Sequence, residues 1–292
     1  MAYEIITDSS ANLSDDYIKL HGLRMLSLEF IVDGVSYMGY VEGQPTNNKQ
    51  FYDMMREGKV IKTSLVRPAE SEAAVRACFD AGDDVLYIGF DSALSASYEK
   101  ASERMEQVHA QEYPQRKLRH VDSLAAALGH GMLVTQVVRM RDEGMELDEL
   151  ADWIEANRQH FAHWFTVEDL NYLQRGGRLS KGTAVAGTLL NIKPVLHIDD
   201  VGRLVPVEKV RGRKKSIKAL FDHYAETARE PRGDLPVYIS HGDCLEDAQQ
   251  LADMIRDTYG VKDFQINILD PVIGAHSGPG TLALFFMTDQ PR

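Results

Sequence analysis

Cysteine and basic charge are both scarce in this chain. Only two of its 292 residues are cysteines, Cys78 and Cys244, and neither has a Cys-x-x-Cys or Cys/His metal-ligand spacing. We therefore expect reduced thiols and no bound metal. The 44 acidic and 32 basic residues give a net charge of −12. This balance argues against a broad nucleic-acid surface and against adhesion to an anionic membrane, so we predict no nucleic-acid partner.

Membrane and export signals are missing as well. No apolar run approaches the ~20 residues that a membrane span requires. The chain starts Met1-Ala2-Tyr3-Glu4 and continues directly into Ile5 and Ile6. It therefore lacks the basic and apolar regions of a signal peptide at this position. We expect a cytoplasmic protein without a membrane span.

Several motifs that would point to a reaction are absent or incomplete. Ser180-Lys181-Gly182-Thr183 resembles only the end of a P-loop. Gly274-Ala275-His276-Ser277-Gly278 places its serine one position too late for the nucleophile elbow of a hydrolase. Gly278-Pro279-Gly280-Thr281-Leu282-Ala283 matches a dinucleotide fingerprint, but too few residues follow it for a βαβ unit of about 30. His160 and His163 flank aromatic residues, and we interpret them as structural rather than metal-binding.

Strand and helix patterns alternate in the first half of the chain. Short β-rich runs, such as Tyr3–Thr7 and Val85–Phe90, are separated by helical patterns such as Pro68–Asp80. This alternation predicts parallel βαβ units. Leu23–Val32 is predicted to be a strand, and Asp33-Gly34 is predicted to be the turn of a hairpin.

The pattern changes near Gln159. Ile192–Ile198 and Arg203–Val210 predict a hairpin, and further strands and helices follow it. We therefore predict an α/β protein with two domains. Residues 1–158 would form a mainly parallel sheet flanked by helices, and residues 159–292 a mixed or antiparallel sheet with helices.

Polar clusters stand at or beside the ends of the predicted strands in the first half. They are Asp8-Ser9-Ser10, Thr63-Ser64, Asp91-Ser92 with Ser95, and Asp122-Ser123. Ligands of parallel α/β sheets bind outside the carboxyl ends of the strands. We therefore predict that the four clusters share one crevice. The alternative is that they only cap helices.

The segment from Ile273 to Thr281 contains one histidine among three glycines, a serine, a threonine and a proline. Such a loop can present a ring nitrogen, two hydroxyls and several backbone N–H groups to a small anionic group. The alternative is a tight turn between two strands, with His276 merely exposed.

Two basic segments stand out in an otherwise acidic chain. Lys209–Lys218 holds six basic residues, and Arg175-Gly176-Gly177-Arg178 flanks two glycines with arginine. Both segments are compatible with a solvated surface, or with a site for a phosphate or a partner.

Read in order, a series of segments resembles the DegV family of bacterial fatty-acid-binding proteins over nearly the whole chain. The segments are Ile6–Leu13, Lys62-Thr63-Ser64, Ser92–Tyr98, Asp122-Ser123 with Gly129 and Gly131, Leu173–Ser180, Leu190–Pro194, Val210-Arg211-Gly212 and His276-Ser277-Gly278-Pro279-Gly280-Thr281. The chain departs from the family pattern at Ala93, Ala96 and Ser97, which replace Gly, Gly and Thr. It also departs at Leu65-Val66-Arg67, which replaces Gln-Pro-Ser, and at Ala127, where serine is common.

The resemblance implies two α/β domains with one long-chain fatty acid bound in the cleft between them. The carboxylate of the acid would contact Thr63, Ser95 and His276. The supporting loops would contribute Ser64, Ser277, Gly278, Gly280 and Thr281. No cofactor is implied other than the bound acid.

The resemblance also implies a protein partner, a separate fatty acid kinase that converts the bound acid to an acyl phosphate. Arg178 and Arg211 are then candidates for contact with the kinase or the phosphate, and the chain itself would have no catalytic residues. Two alternatives stay open. One is a hydrolase or acyltransferase that uses His276 as general base and Ser95 or Ser277 as nucleophile. The other is a regulatory module that binds a small molecule other than a lipid.

Overall fold

The computed structural model describes residues 3–44, 46–180 and 191–292, so Leu190 and the segment Lys181-Gly182-Thr183 lie outside the described residues. The described strands are β1 (Tyr3–Asp8), β2 (Arg24–Leu26), β3 (Glu29–Val32), β4 (Val35–Met38), β5 (Ile61–Ser64), β6 (Asp84–Gly89), β7 (Leu118–Asp122), β8 (Phe161–Thr166), β9 (Ile192–Ile198), β10 (Leu204–Arg211), β11 (Val237–His241), β12 (Phe264–Ile268) and β13 (Leu282–Met287). The described helices are α1 (Asp15–Leu20), α2 (Asn48–Arg56), α3 (Pro68–Ala81), α4 (Ser97–Glu112), α5 (Ala127–Asp142), α6 (Leu147–Asn157), α7 (Asn171–Arg175), α8 (Arg213–Thr227), α9 (Leu245–Tyr259) and α10 (Pro271–Ser277).

The first sheet is parallel throughout, in the order β2-β1-β6-β7. Every residue of β6 is buried, because helices cover both faces of the sheet. Leu86 and Ile88 belong to the cluster that includes α5 and α6. Val85 and Tyr87 belong to the cluster that includes α3 and α4. A strand covered on both faces is apolar at successive positions, and the predicted parallel sheet is confirmed.

The second sheet is mixed, in the order β10-β9-β8-β13-β11-β12. Its neighbours pair antiparallel except β11 and β12, which run parallel. The apolar stripes of α8 and α9 pack on one face of this sheet. β9 and β10 form the hairpin that the sequence predicts. The fold class is therefore confirmed.

A third sheet, which the sequence did not predict, is antiparallel in the order β4-β3-β5. The predicted strand Leu23–Val32 was wrong as a single element, since it breaks between β2 and β3. Near the break, two serine hydroxyls accept hydrogen bonds from backbone N–H groups. Ser9 Oγ accepts the Leu28 N–H at 3.0 Å, and Ser27 Oγ accepts the Tyr40 N–H at 2.9 Å. Because these partners are distant in sequence, the apolar run alone does not reveal the break.

The segment that contains His276 also differs from the prediction. Pro271–Ser277 form the short helix α10, where we expected a loop. Asp270 Oδ1 caps this helix by accepting the N–H groups of Val272 at 2.8 Å and Ile273 at 3.2 Å. Proline at the first helical position needs no hydrogen-bond partner for its nitrogen. Of the three glycines that suggested a turn, Gly274 thus lies within a helix, and Gly278 and Gly280 follow it.

The predicted domain boundary after residue 158 falls between α6 and β8 and stays a prediction. The largest hydrophobic cluster takes side chains from both sides of it, including Leu133 of α5, Phe165 of β8 and Phe285 of β13. Helix α5 contacts the second sheet through β8, β11 and β13. Among the described helices, none is both long enough and apolar enough to span a bilayer.

Candidate functional site

A cavity of about 310 Å³ is lined by residues from both halves of the chain. Its wall is mainly apolar and includes Leu28, Leu65, Phe90, Leu94, Ala126, Ala127, Phe165, Leu173, Ile198, Leu204, Leu269 and Phe285. Its polar members are Thr63, Ser64, Ser95, His163, Arg178, His276, Ser277 and Thr281. A cavity with this composition suits a ligand that is mostly apolar and carries one polar group.

Thr63 and His276 meet in the wall of this cavity. Thr63 lies on β5 and His276 in the last turn of α10, 213 residues away, and Thr63 Oγ1 is 2.8 Å from His276 Nε2. Burial, and to a smaller extent the positive charge of Arg178, together lower the pKa of His276 to about 4. The imidazole is therefore neutral near pH 7 in the ligand-free chain.

The glycines near His276 pack against side chains. A Cβ on Gly176 would overlap His276 Nδ1, so only glycine lets the imidazole take this position. Gly278 has φ 87° and faces the ring of Tyr172, while Gly280 faces Glu168. Neither Gly278 nor Gly280 lines the cavity. These two glycines therefore let neighbouring side chains pack closely around the site. The sequence had suggested instead that their backbone approaches a ligand.

Ser95 lines the cavity and also shapes the start of α4. Its Oγ accepts the N–H of Ser97 at 3.2 Å. Ser97 Oγ in turn accepts the Val66 N–H at 3.2 Å, which ties this turn to the loop after β5. Ala93 and Ala96, where the family pattern has glycine, are exposed and lie outside the cavity wall.

Arg178 is placed in the cavity wall, close to His276. Its Nε donates to the Leu94 carbonyl at 2.9 Å, and its Nη1 donates to the Gly176 carbonyl. Burial lowers the pKa of this guanidinium. No carboxylate in residues 3–44, 46–180 or 191–292 forms an ion pair with it. The family resemblance made Arg178 a candidate for contact with the kinase or the phosphate, and its position beside His276 was not predicted.

Arg211 lies elsewhere. It is the last residue of β10, it is exposed, and it is absent from the cavity wall. It stands opposite Ile192 on β9.

The predicted shared crevice was wrong for two of its four clusters. Thr63-Ser64 and Ser95 line the cavity, but Asp8 and Asp122 do not. The carboxylate of Asp8 accepts the Phe90 N–H at 2.8 Å, and that of Asp122 accepts the Leu124 N–H at 3.0 Å. These two carboxylates hold the backbone beyond strand ends. Phe90 and Leu124 belong to no helix, so these two bonds are structural but are not the helix caps of the alternative.

Ser277 and Thr281 line the cavity with hydroxyls that already donate to the backbone. Ser277 Oγ donates to the Ile273 carbonyl at 3.2 Å, and Thr281 Oγ1 donates to the Gly278 carbonyl at 2.8 Å. A carboxylate needs donors, so these two residues are less suited to hold it than Thr63. His163, which we interpreted as structural, is a further wall residue, and its buried ring packs edge-on against Phe285.

The hydrolase alternative requires a serine that is hydrogen-bonded to His276, and neither candidate serine forms such a bond in the described residues. Ser95 Oγ and Ser277 Oγ bond to backbone groups, and His276 Nε2 bonds to Thr63. In the described residues, no carboxylate contacts His276 to orient its ring, as a catalytic base would need. The same part of the chain holds no cluster of three or more His, Cys, Asp or Glu suited to a metal.

A family model described as the uncharacterised DegV family matches residues 2–289. The chain belongs to the DegV family. A DegV domain-containing protein of Clostridium perfringens is 39% identical over 287 residues, which cover 98% of each chain.

Solved DegV structures share the fold. The DegV lipid-binding protein of Thermotoga maritima is 28% identical, with a TM-score of 0.85 over 100% of both chains. A DegV family protein of Thermus thermophilus, described by its fatty acid binding, is 28% identical with a TM-score of 0.84, over 99% of this chain and 100% of its own. The resemblance to the DegV family that the sequence indicated is thus confirmed.

Proposed function

We propose that this DegV-family chain binds one long-chain fatty acid in the 310 Å³ cavity and presents its carboxylate to a separate fatty acid kinase. Thr63, Ser95 and His276 would hold the carboxylate, and the apolar wall would hold the acyl chain. The observation that carries the proposal is the Thr63–His276 pair, 2.8 Å apart, beside Arg178 in a mainly apolar cavity.

The energetics favour this ligand class. Each buried methylene contributes roughly 0.8 kcal/mol, and part of the sum is offset by the freedom that the ligand loses. A buried carboxylate without partners would be prohibitive. Here the hydroxyl of Thr63 can donate to it, and Arg178 contributes a positive charge that has no anionic partner among the described residues.

Delivery to a kinase rests on the family resemblance. An acyl chain that is held between the two halves of the protein would keep a reactive acyl phosphate away from water. Arg211, which is exposed and outside the cavity, is then the candidate for contact with the kinase.

Lipid binding is tested by mass spectrometry of the purified protein after denaturation, followed by titration with oleate and palmitate. We expect a co-purifying fatty acid. We also expect Thr63→Val to weaken oleate binding about tenfold, or about 1.4 kcal/mol, because it removes one donor at constant shape. Thr258→Val, on the exposed side of α9, is the matched control. A protein that carries no fatty acid and binds neither oleate nor palmitate would overturn the proposal.

Kinase delivery is tested separately by acyl-phosphate formation with a bacterial fatty acid kinase. We expect Arg211→Glu to lower the rate while the affinity for oleate stays unchanged, because the substitution reverses a charge outside the cavity. The exposed Lys262→Glu is the control for net charge. An unchanged rate in Arg211→Glu, or an equal loss in both variants, would contradict the assignment of Arg211.

A further inference from the structure

Gly129, in the first turn of α5, packs against two side chains of the cavity wall. A Cβ at this position would lie 2.2 Å from His163 Nε2 and 2.6 Å from Phe285 Cδ1. Both rings line the cavity, and they pack edge-on with 5.2 Å between their centroids. On the basis of the function proposed above, we propose that His163 and Phe285, with Gly129 behind them, form the end wall that limits the length of the bound acyl chain.

Strand β13 runs from the head-group end of the cavity towards this wall. Thr281, Ala283 and Phe285 line the cavity at every second position, while the residues between them belong to the cluster that packs on α8 and α9. Thr281 lies at the head-group end, since its hydroxyl donates to the carbonyl of Gly278, the residue that follows α10. Phe285 comes four residues later, which is on the order of 13 Å along an extended chain.

The cavity stops at one row of residues across the second sheet. Its wall includes, in this row, Leu204 on β10, Ile198 on β9, His163 on β8 and Phe285 on β13. The place of His163 beside Ile198 follows when the register of β8 and β9 is extended by one residue. In the next row on the same face, Met287 pairs with Phe161, and neither lines the cavity. The row is therefore the end of the cavity along these strands, away from the head group.

The two rings have one open direction, which is into the cavity. On the other side of the imidazole, His163 Nδ1 is 2.8 Å from the Phe161 carbonyl oxygen and 2.8 Å from Arg292 Nη1. Protein interiors are close-packed, so a displaced ring moves towards free volume. A methyl group at position 129 needs about 3.5 Å to its neighbours, and it would push the rings into the cavity by about 1 Å.

The end wall is tested by the relative affinity for a long and a short acid. Stearate and myristate displace a fluorescent fatty acid from protein that has been stripped of lipid, and the ratio of their affinities is measured. Phe285→Leu lengthens the cavity, and we expect the ratio of stearate to myristate affinity to rise at least fourfold, because one more buried methylene contributes about that factor. Gly129→Ala shortens the cavity, and we expect the ratio to fall at least fourfold.

Each variant has a matched control outside the cavity. Phe286→Leu makes the same change in a buried residue on the other face of β13. Gly131→Ala makes the same change on α5, where a Cβ would lie 2.4 Å from the Ala11 carbonyl oxygen instead of the two rings. Both controls should lose stability, as their partners do, and keep the affinity ratio of the parent.

Thermal unfolding verifies that each variant is folded. An unchanged ratio in either folded variant, or an equal shift in its control, would overturn the end wall while the parent still binds fatty acid. A parent that binds neither acid would instead overturn the proposed function. If Gly129→Ala does not fold, the comparison of Phe285→Leu with Phe286→Leu decides.

Discussion

The imidazole of His276 and the guanidinium of Arg178 have different electrostatic roles at the site. Burial and the nearby arginine lower the pKa of His276 to about 4, so the ring carries no charge near neutral pH. Arg178 keeps its charge, although burial lowers its pKa as well. A fatty-acid carboxylate would therefore find its positive charge at Arg178 and its hydrogen bonds at Thr63 and His276.

This difference leads to a prediction at the residue scale. Arg178→Gln removes the repulsion that disfavours imidazolium, so the pKa of His276 should rise from about 4. It should stay below the usual 6.5, because burial, the larger cause, remains. At pH 5 the variant would thus hold a larger protonated fraction of His276 than the parent. The measurement is an NMR titration of the His276 ring, with the exposed Arg175→Gln as control. The same pKa in all three proteins would contradict it.

The sequence indicated which residues line the cavity, but it did not indicate which groups those residues contact. Thr63, Ser95 and His276 stand in short motifs that can be recognised without a fold, and all three line the cavity. Arg178 stands in such a motif too, but its direction depends on the carbonyls of Leu94 and Gly176. The hydrogen bond between Arg178 and Leu94 joins positions 84 residues apart, and such a contact produces no periodic pattern in the sequence.

At the scale of elements, α10 joins a buried cap to the cavity wall. Its first turn is capped by Asp270, and its last turn carries His276. The helix is only seven residues long, so it depends on its cap and on tertiary packing more than a longer helix would.

A prediction for α10 follows from the cap. Asp270→Ala removes the acceptor for two N–H groups and should lower the free energy of unfolding by about 1 kcal/mol. It should also weaken palmitate binding, because the last turn of the same helix positions His276. Asp270→Asn should lose less stability than Asp270→Ala. Urea unfolding and palmitate titration of the three proteins measure both effects. Equal stability of the parent and Asp270→Ala would show that the cap contributes nothing.

Elements with regular patterns were predictable, and elements shaped by distant contacts were not. The buried strand β6 and the β9–β10 hairpin follow from apolar runs and turn residues. β5 was missed because its four residues include Lys62, Thr63 and Ser64, which look like part of a loop. It becomes a strand by pairing with β3, which the sequence had joined to β2.

At the scale of the whole molecule, the wall of the cavity takes residues from the second and third sheets, from the loop after β6 and from α10. A ligand there contacts Thr63 and Phe90 from the first half and Phe165 and Phe285 from the second. Its binding energy therefore adds to the stability of the assembled protein.

Calorimetry can measure this contribution. For protein that has been stripped of lipid, palmitate at a free concentration 100 times its Kd should add about 2.7 kcal/mol to the free energy of unfolding. The melting temperature should rise accordingly in differential scanning calorimetry. Methyl palmitate, which has the same chain but no ionisable head group, should stabilise less. An equal shift with the methyl ester would indicate that the carboxylate contributes little.

The separation of Thr63 and His276 by 213 positions has a consequence for biosynthesis. A ribosome adds roughly 5–20 residues per second, so the threonine is made about ten seconds or more before the histidine. Until position 276 has emerged and α10 has docked beside β5, the Thr63–His276 pair does not exist. Under the proposed function, a nascent chain could not retain a fatty acid through this pair, and loading would wait until both halves of the protein have folded together.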